Sequence, residues 1–190
     1  MDQWHLSDQA VSAKGQKSCQ LTANHQPVRF QLGSGLRTRF GASTFEKIDA
    51  ARRSLDFDLD DAAVLARLRE IDDWALDYIT THSERLLKKT LSRTEVENGY
   101  NPLVKTYGSN SSCKTKINLR GSRAATIWND KGEQILDPPA EGTWQDFAYA
   151  AHVSVPQLWI MANTFGLLLE TTALQLSAPA ATNPFAQKVN

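Results

Sequence analysis

Residues 113–120, CKTKINLR, alternate without a break. Lys114, Lys116, Asn118 and Arg120 fall on one side of an extended chain; Cys113, Thr115, Ile117 and Leu119 fall on the other. A period of two belongs to a β-strand, so one face packs on a core while the other shows water a row of cations. The row sits in a window, 98–129, that contains no Asp or Glu and also carries Lys105, Arg123, Tyr100, Tyr107 and Trp128. Cations interspersed with rings on a sheet face suit a single-stranded nucleic acid, because charge follows the phosphates and rings stack the bases.

Outward from that strand, charge is segregated. The 190 residues hold 21 Lys and Arg against 21 Asp and Glu, and this formal net charge of zero by itself argues against a general nucleic-acid binder. Yet ten acids and five bases lie between Glu46 and Asp77, whereas nine bases and three acids lie between Glu84 and Arg123. Screening limits the reach of a charge to about 8 Å at physiological salt, so a phosphate backbone reads the local field rather than the total. Hydrophobic content of 41% and charged content of 22% are those of a globular protein that can bury a core without a metal or disulfide staple. Two cysteines, Cys19 and Cys113, make neither a disulfide framework nor a zinc spacing. The first ten residues lack a basic-then-apolar signal pattern, and no apolar run approaches the ~18–20 residues of a membrane span. A soluble, intracellular protein is expected, in the host nucleus or cytoplasm if viral.

Along the chain, residues 1–25 are polar without a sustained period and read as a weakly ordered N-terminal arm. One domain is expected over 26–177, followed by a C-terminal tail, 178–190, in which Phe185 of an Asn-Pro-Phe triplet is a candidate for docking a partner. Residues 28–32 suggest a short strand and 32–35 (Leu-Gly-Ser-Gly) a flexible turn. Residues 54–59 alternate as a half-buried strand with an acidic outer face. Asp60 or Asp61 caps a helical run within 60–90 whose period breaks near 80–83, and Trp74 and Tyr78 read as its core anchors. Then come a short extended piece at 103–107, a loop at 108–112, the alternating strand, a hairpin over 124–136 and an extended 143–157. A last apolar hairpin, 158–176, is expected at the centre of the core. The pattern predicts a mainly-β, α+β fold: a five-stranded oligonucleotide-binding (OB)-like β-barrel with a long flanking helix, with a β-sandwich as the alternative.

Catalytic motifs are missing. His5, His25, His82 and His152 have no metal-ligand spacing with Cys, Asp or Glu, and the acids Asp56, Asp58, Asp60 and Asp61 lack the glycine and closing Glu of a calcium loop. Gly33-Ser34-Gly35 is not followed by Gly-Lys-Ser/Thr, and there is no GxSxG elbow. No enzyme, cofactor or metal is expected.

Lys114, Lys116 and Arg120 lead as phosphate contacts, with Lys105, Arg123 and Lys88-Lys89 next, the helix-end lysines having a rival reading as partners of the helix dipole. The rival reading of strand lysines is protection of a sheet edge against aggregation. Tyr107 and Trp128 are the candidate stacking rings, although Trp128, one residue before a turn, can instead cap the hairpin core. Tyr100 is a weaker ring candidate, and Arg37, Arg39 and Phe40 form a second basic-aromatic patch.

The order Tyr100-x-Pro102-Leu103-x-Lys105, Lys114-x-Lys116-Ile117-Asn118, Trp128-x-x-x-Gly132, then Leu158-Trp159-Ile160 with Phe165-Gly166, is similar to single-stranded DNA-binding proteins of large eukaryotic DNA viruses and some phages. Phe40-Gly41-x-Ser43 and Asp73-Trp74 extend the resemblance, which covers residues 36–177. It implies an oligonucleotide-binding barrel that coats displaced strands, Lys114 and Lys116 on the DNA-facing strand, and Trp159 and Phe165-Gly166 at core positions. Many replication binding proteins end in an acidic tail; this tail has no acid. Residues and resemblance together predict a non-catalytic protein of DNA replication, recombination or repair that binds single-stranded DNA, ahead of RNA, with little sequence preference. Replication proteins and a second copy of the chain are its expected partners. The alternatives are a virion structural or assembly protein, or a non-catalytic subunit of a nucleic-acid-processing complex.

Overall fold

The alternating stretch is a strand, but it begins earlier and ends sooner than the periodicity suggests, running from Asn110 to Asn118. The computed structural model describes residues 3–43, 51–140 and 142–178; the tail beyond 178, with Phe185, lies outside the described residues. In chain order the elements are β1 (Trp4–Leu6), β2 (Ala10–Val11), β3 (Lys17–Ala23), β4 (Gln26–Thr38), β5 (Arg52–Asp58), α1 (Ala62–Thr81), α2 (Ser83–Leu87) and α3 (Arg93–Gly99). They continue with β6 (Val104–Tyr107), β7 (Asn110–Asn118), β8 (Thr126–Trp128), β9 (Gln134–Ile135), a 3-10 turn (Trp144–Asp146), β10 (Ala148–Val155), β11 (Gln157–Met161), β12 (Thr164–Leu167) and β13 (Glu170–Ser177).

Five of these strands close a barrel. β4 pairs β5, β5 pairs β7, β10 pairs β13 and β10 returns to β4, all antiparallel, while β7 and β13 run parallel. The circuit has no free ends, which replaces the sandwich alternative with an OB-like barrel. Leu55, Phe57, Cys113, Ile117, Tyr149, Val153 and Leu174 fill it, each buried. Burial of each large apolar side chain contributes about 1.5–3 kcal/mol. Thr115 and Thr171 share a 2.8 Å hydrogen bond across the parallel pair, so both buried hydroxyls are satisfied.

The Leu32–Gly35 stretch is not a turn. β4 passes straight through it, pairing β3 at its start, β10 along its middle and β5 at its end. Gly33 (φ +149°) and Gly35 (φ +70°) adopt angles that L-residues avoid, and the register to β10 shifts there. The two glycines bulge and coil one long strand around three partners.

Residues 3–25 are also not a weakly ordered arm. β3 and β4 form a hairpin closed by Asn24 (φ +50°) and His25 (φ +63°), and β3 pairs β1, β2 and β11 as well. Leu6, Cys19 and Leu21 are buried. Asn-His closes this two-residue turn where Asn-Gly is the usual signal, so the sequence does not mark the hairpin. The last hairpin also differs from expectation. It comprises only β11 and β12, which join β3 in a side sheet; β13 alone enters the barrel. Residues 143–157 open on the 3-10 turn before β10, and residues 110–112 belong to β7 rather than to a loop.

The helical run behaves as its period predicts. Asp61 accepts from the Ala63 and Val64 amides at 2.8 and 3.1 Å, and the run breaks at His82 into α1 and α2. Leu68, Ile71, Asp72, Ala75 and Ile79 form the buried stripe of α1. Asp72 is polar within that stripe because its carboxylate accepts from the Tyr100 hydroxyl at 2.6 Å and from the Leu103 amide at 3.0 and 3.1 Å. Burial pushes the Asp72 carboxyl up, and these hydrogen bonds partly offset it. Through Asp72 the helix holds the segment between α3 and β6, and that segment leads into the β6–β7 hairpin. α3, which sequence periodicity did not reveal, starts with a capping box between Ser92 and Glu95.

Candidate nucleic-acid interface

The antiparallel register of β5 and β7 sets one face of the barrel. Arg52 lies opposite Asn118, Ser54 opposite Lys116, Asp56 opposite Lys114 and Asp58 opposite Ser112. Their alternate neighbours, Leu55, Phe57, Cys113, Thr115 and Ile117, are buried in the barrel, so these pairs line its outer side. Lys114 is exposed and Lys116 half-buried. The Lys116 ammonium donates to the Ser54 hydroxyl at 2.7 Å. Glu170, beside Lys116 in the parallel register, accepts from the Asn118 amide at 2.6 Å and stands 3.7 Å from the Arg52 guanidinium. Burial first, then the charges of Lys114 and Arg52, hold the Lys116 ammonium below the usual lysine range. An arriving phosphate relieves that destabilisation, since it supplies a counter-charge directly to the ammonium.

The other predicted residues divide. Lys105 on β6 is opposite Ser112 and shares the β7 outer face; Tyr107, at the end of β6, is 65% exposed. Arg120 and Arg123 are exposed, but on the loop that follows β7 rather than on the strand itself. Trp128 is on β8, 36% exposed, opposite Gln175 of β13, whereas Lys116 is opposite Glu170 of the same strand. Five residues of extended chain separate those two positions by roughly 17 Å. Lys105, Tyr107, Lys114 and Lys116 therefore share the outer side of β6 and β7, while Trp128 lies on β8, which follows β7 along the same edge of β13.

Tyr100 is buried and bonded to Asp72, which makes it a structural ring. Burial and the Asp72 carboxylate push its phenol well above the usual tyrosine range. Lys88 takes a left-handed backbone at the end of α2, and Lys89 reaches Asn163 at 3.4 Å. Of the core positions that the resemblance implies, Phe165 and Gly166 are buried and Trp159 is half-buried.

The residues 37–40 that read as a second patch join the same face. Arg37 pairs with Asp58 across β4 and β5, and the Arg39 guanidinium meets Asp58 at 3.1 Å. Phe40 is 69% exposed. Arg39, Phe40, Asp56, Asp58, Tyr107 and the 110–112 stretch of β7 enclose an open cavity of about 350 Å³. Sequence reasoning identified Asp56 and Asp58 as outward-facing but not as neighbours of Phe40 and Tyr107. That proximity is created by the β4–β5 and β6–β7 pairings, which no local pattern encodes. Among the described residues, no three His, Cys, Asp or Glu side chains gather as a metal site, and no helix is long and apolar enough to cross a membrane.

No protein-family model matches the chain, and no curated protein matches it. Solved structures do. The single-stranded DNA-binding protein gp2.5 encoded by bacteriophage T7 superposes with a TM-score of 0.57 at 14% identity, over 81% of this chain and 88% of that one. The single-stranded DNA-binding protein from bacteriophage Enc34 superposes with a TM-score of 0.50 at 9% identity, over 98% of this chain and 96% of that one. At these identities the likeness is one of fold: the chain has the OB-type barrel of phage single-stranded DNA-binding proteins, the architecture that its motif order resembles.

Proposed function

We propose that this chain is a non-catalytic single-stranded DNA-binding protein that acts in replication, recombination or repair with little overall sequence preference. One observation carries the reading: the outer face of β5 and β7, the strand pair that OB barrels offer to oligonucleotides, bears Lys114 and Lys116 with exposed aromatic rings at its end. Both phage proteins whose fold it shares are named as single-stranded DNA-binding proteins, which supports the assignment. Phosphates are captured by Lys114, Lys116, Lys105 and Arg52, and by Arg120 and Arg123 on the adjoining loop. Tyr107 stacks a base beyond the Lys114 end of that row, and Trp128, on β8 further along the same edge of β13 as β7, engages a longer strand.

The test is a salt titration with fluorescent oligo-dT and a matching duplex. Wild type binds the single strand in preference, with affinity falling linearly in log salt. The Lys114→Ala/Lys116→Ala double variant reduces that slope by about 1.4, because each phosphate neutralised on a single strand adds about 0.7 to it. An unchanged slope and affinity in the folded double variant refutes the assignment of these lysines. A protein that binds neither nucleic acid at low salt refutes the function.

A further inference from the structure

The cavity at the Asp58 end of the β5–β7 face has no place in a purely phosphate-binding surface. Its rim is aromatic: Phe40 and Tyr107 are 69% and 65% exposed, and both line it. Asp56 and Asp58 line it as well. Two large rings exposed on one rim form an apolar patch bordered by polar residues, the kind of surface that marks a binding groove. Arg39 lines it too but is already paired with Asp58, which leaves Asp56 to repel a phosphate, so the occupant presents a face other than its backbone. Asp58 is held in place by Arg39 at 3.1 Å. Asp56 Oδ1 is buried, so what the cavity offers an occupant is the rest of the Asp56 carboxylate and that of Asp58. Carboxylates accept and cannot donate, so an occupant that bonds them supplies donors.

A flat ring with an N–H edge meets all of these conditions. We propose that this cavity is a nucleobase subsite selective for bases with an exocyclic amine (cytosine, adenine or guanine) over thymine. The base stacks on Tyr107 and Phe40 and turns its amine toward Asp56 and Asp58. At position 4 thymine presents a carbonyl where cytosine presents an amine, which sets acceptor against acceptor there and leaves thymine only its N3–H as a donor. Charge along the face orients the strand: the acidic end receives the base, and Lys114 and Lys116 receive the backbone. The selectivity concerns one nucleotide and is superimposed on sequence-tolerant backbone binding. The inference thus rests on the single-stranded DNA-binding reading and refines it.

Oligo-dC and oligo-dT of equal length distinguish the two claims, because they share ring size and backbone and differ only at the 4-position, at N3 and by the 5-methyl group. The measurement is fluorescence anisotropy at one fixed salt concentration, above neutral pH so that oligo-dC stays unfolded. Wild type binds oligo-dC at least about fivefold more tightly than oligo-dT, the low end for one well-made base-edge contact. The near-isosteric variants Asp56→Asn and Asp58→Asn can donate as well as accept, and in the double variant the ratio falls to about one while oligo-dT binding persists, which also shows that the variant is folded. Equal wild-type affinity for the two oligomers overturns the subsite and leaves single-stranded DNA binding standing. A dC preference that survives intact in the folded double variant overturns it too, by placing the selectivity elsewhere. Failure to bind either oligomer overturns both readings.

Discussion

The ribbon at Trp4–Leu6 seated on α1, and the outer face of β5 and β7, are both assembled from cations and aromatic rings. On the ribbon, Trp4 meets Trp74 edge-on at 5.2 Å, Trp74 stacks at a tilt on Tyr78, and the Tyr78 hydroxyl lies 2.8 Å from His5 Nδ1. Arg85 donates to the Leu6 carbonyl at 2.9 Å, to Asp8 at 3.0 Å and to the Tyr78 hydroxyl at 3.2 Å. On the β5–β7 face, Tyr107 and Phe40 stand mostly in solvent, and Lys116 has a hydroxyl rather than a carboxylate as its partner. The same residue types serve as internal glue in one place and as an open surface in the other. Partnering separates them, and composition does not: groups saturated within the chain stabilise the fold, whereas groups left unsaturated can recognise a ligand.

Substitutions on the two sides should therefore produce opposite signatures. The largest effect is expected on the α1 side, where Asp72→Ala strands the Tyr100 hydroxyl and the Leu103 amide in a buried site. A decrease of about 3 kcal/mol in chemical denaturation follows, since each stranded buried donor costs about 1–3 kcal/mol. Asp72→Asn keeps an acceptor and recovers most of it. A melt unchanged by Asp72→Ala would show that the α1 contacts are not the glue described here.

Next in size, Tyr107→Ala lowers affinity for single strands by about 1–2 kcal/mol through the absence of stacking, with no change in melting temperature. An unfolding phenotype instead would move Tyr107 to the structural side of the comparison. The smallest effect, and the sharpest, is expected from Lys116→Met, which keeps the stem and removes the charge. Affinity falls a few-fold and the salt slope drops by about 0.7, while the free protein becomes no less stable. The sign follows from linkage. Below its ordinary value of 10.5 the folded ammonium loses its proton before the unfolded one does, so the unfolded state binds more protons and stability rises with pH in that interval. Lys116→Met removes this rise; a variant that keeps the wild-type alkaline slope contradicts the account of Lys116.

Much of the barrel was legible because its strands carry their own period. Residues 113–117 announced a half-buried strand, 54–58 another with acids outward, and 62–81 a capped amphipathic helix. Where the signal was missing, a local rule had been replaced by a long-range one. The N-terminal ribbon looked polar because it buries only alternate residues, and its Asn24-His25 turn lacks glycine. The Gly33–Gly35 bulge read as a turn because a glycine pair looks the same whether the chain reverses or merely bends. The 158–176 run read as one hairpin because apolar strands in a side sheet and in a barrel have the same composition.

For the site, sequence alone determined which side chains face outward on each strand, since the two-residue period of an extended chain leaves no choice once one face is apolar. It also determined that charge is unevenly spread, with cations on the strand at 113–118 and acids on the strand at 54–58. Only the tertiary structure decided that those two strands lie side by side in antiparallel register, with Lys116 beside Ser54 and Lys114 beside Asp56. Only it brought Phe40 and Tyr107 to one cavity and set Trp128 further along the edge of β13 on which β7 lies. The physical reason is range. Backbone geometry ties a side chain's direction to its immediate neighbours, whereas strand pairing joins residues about sixty positions apart through a closed circuit of hydrogen bonds that exists only when the whole barrel forms.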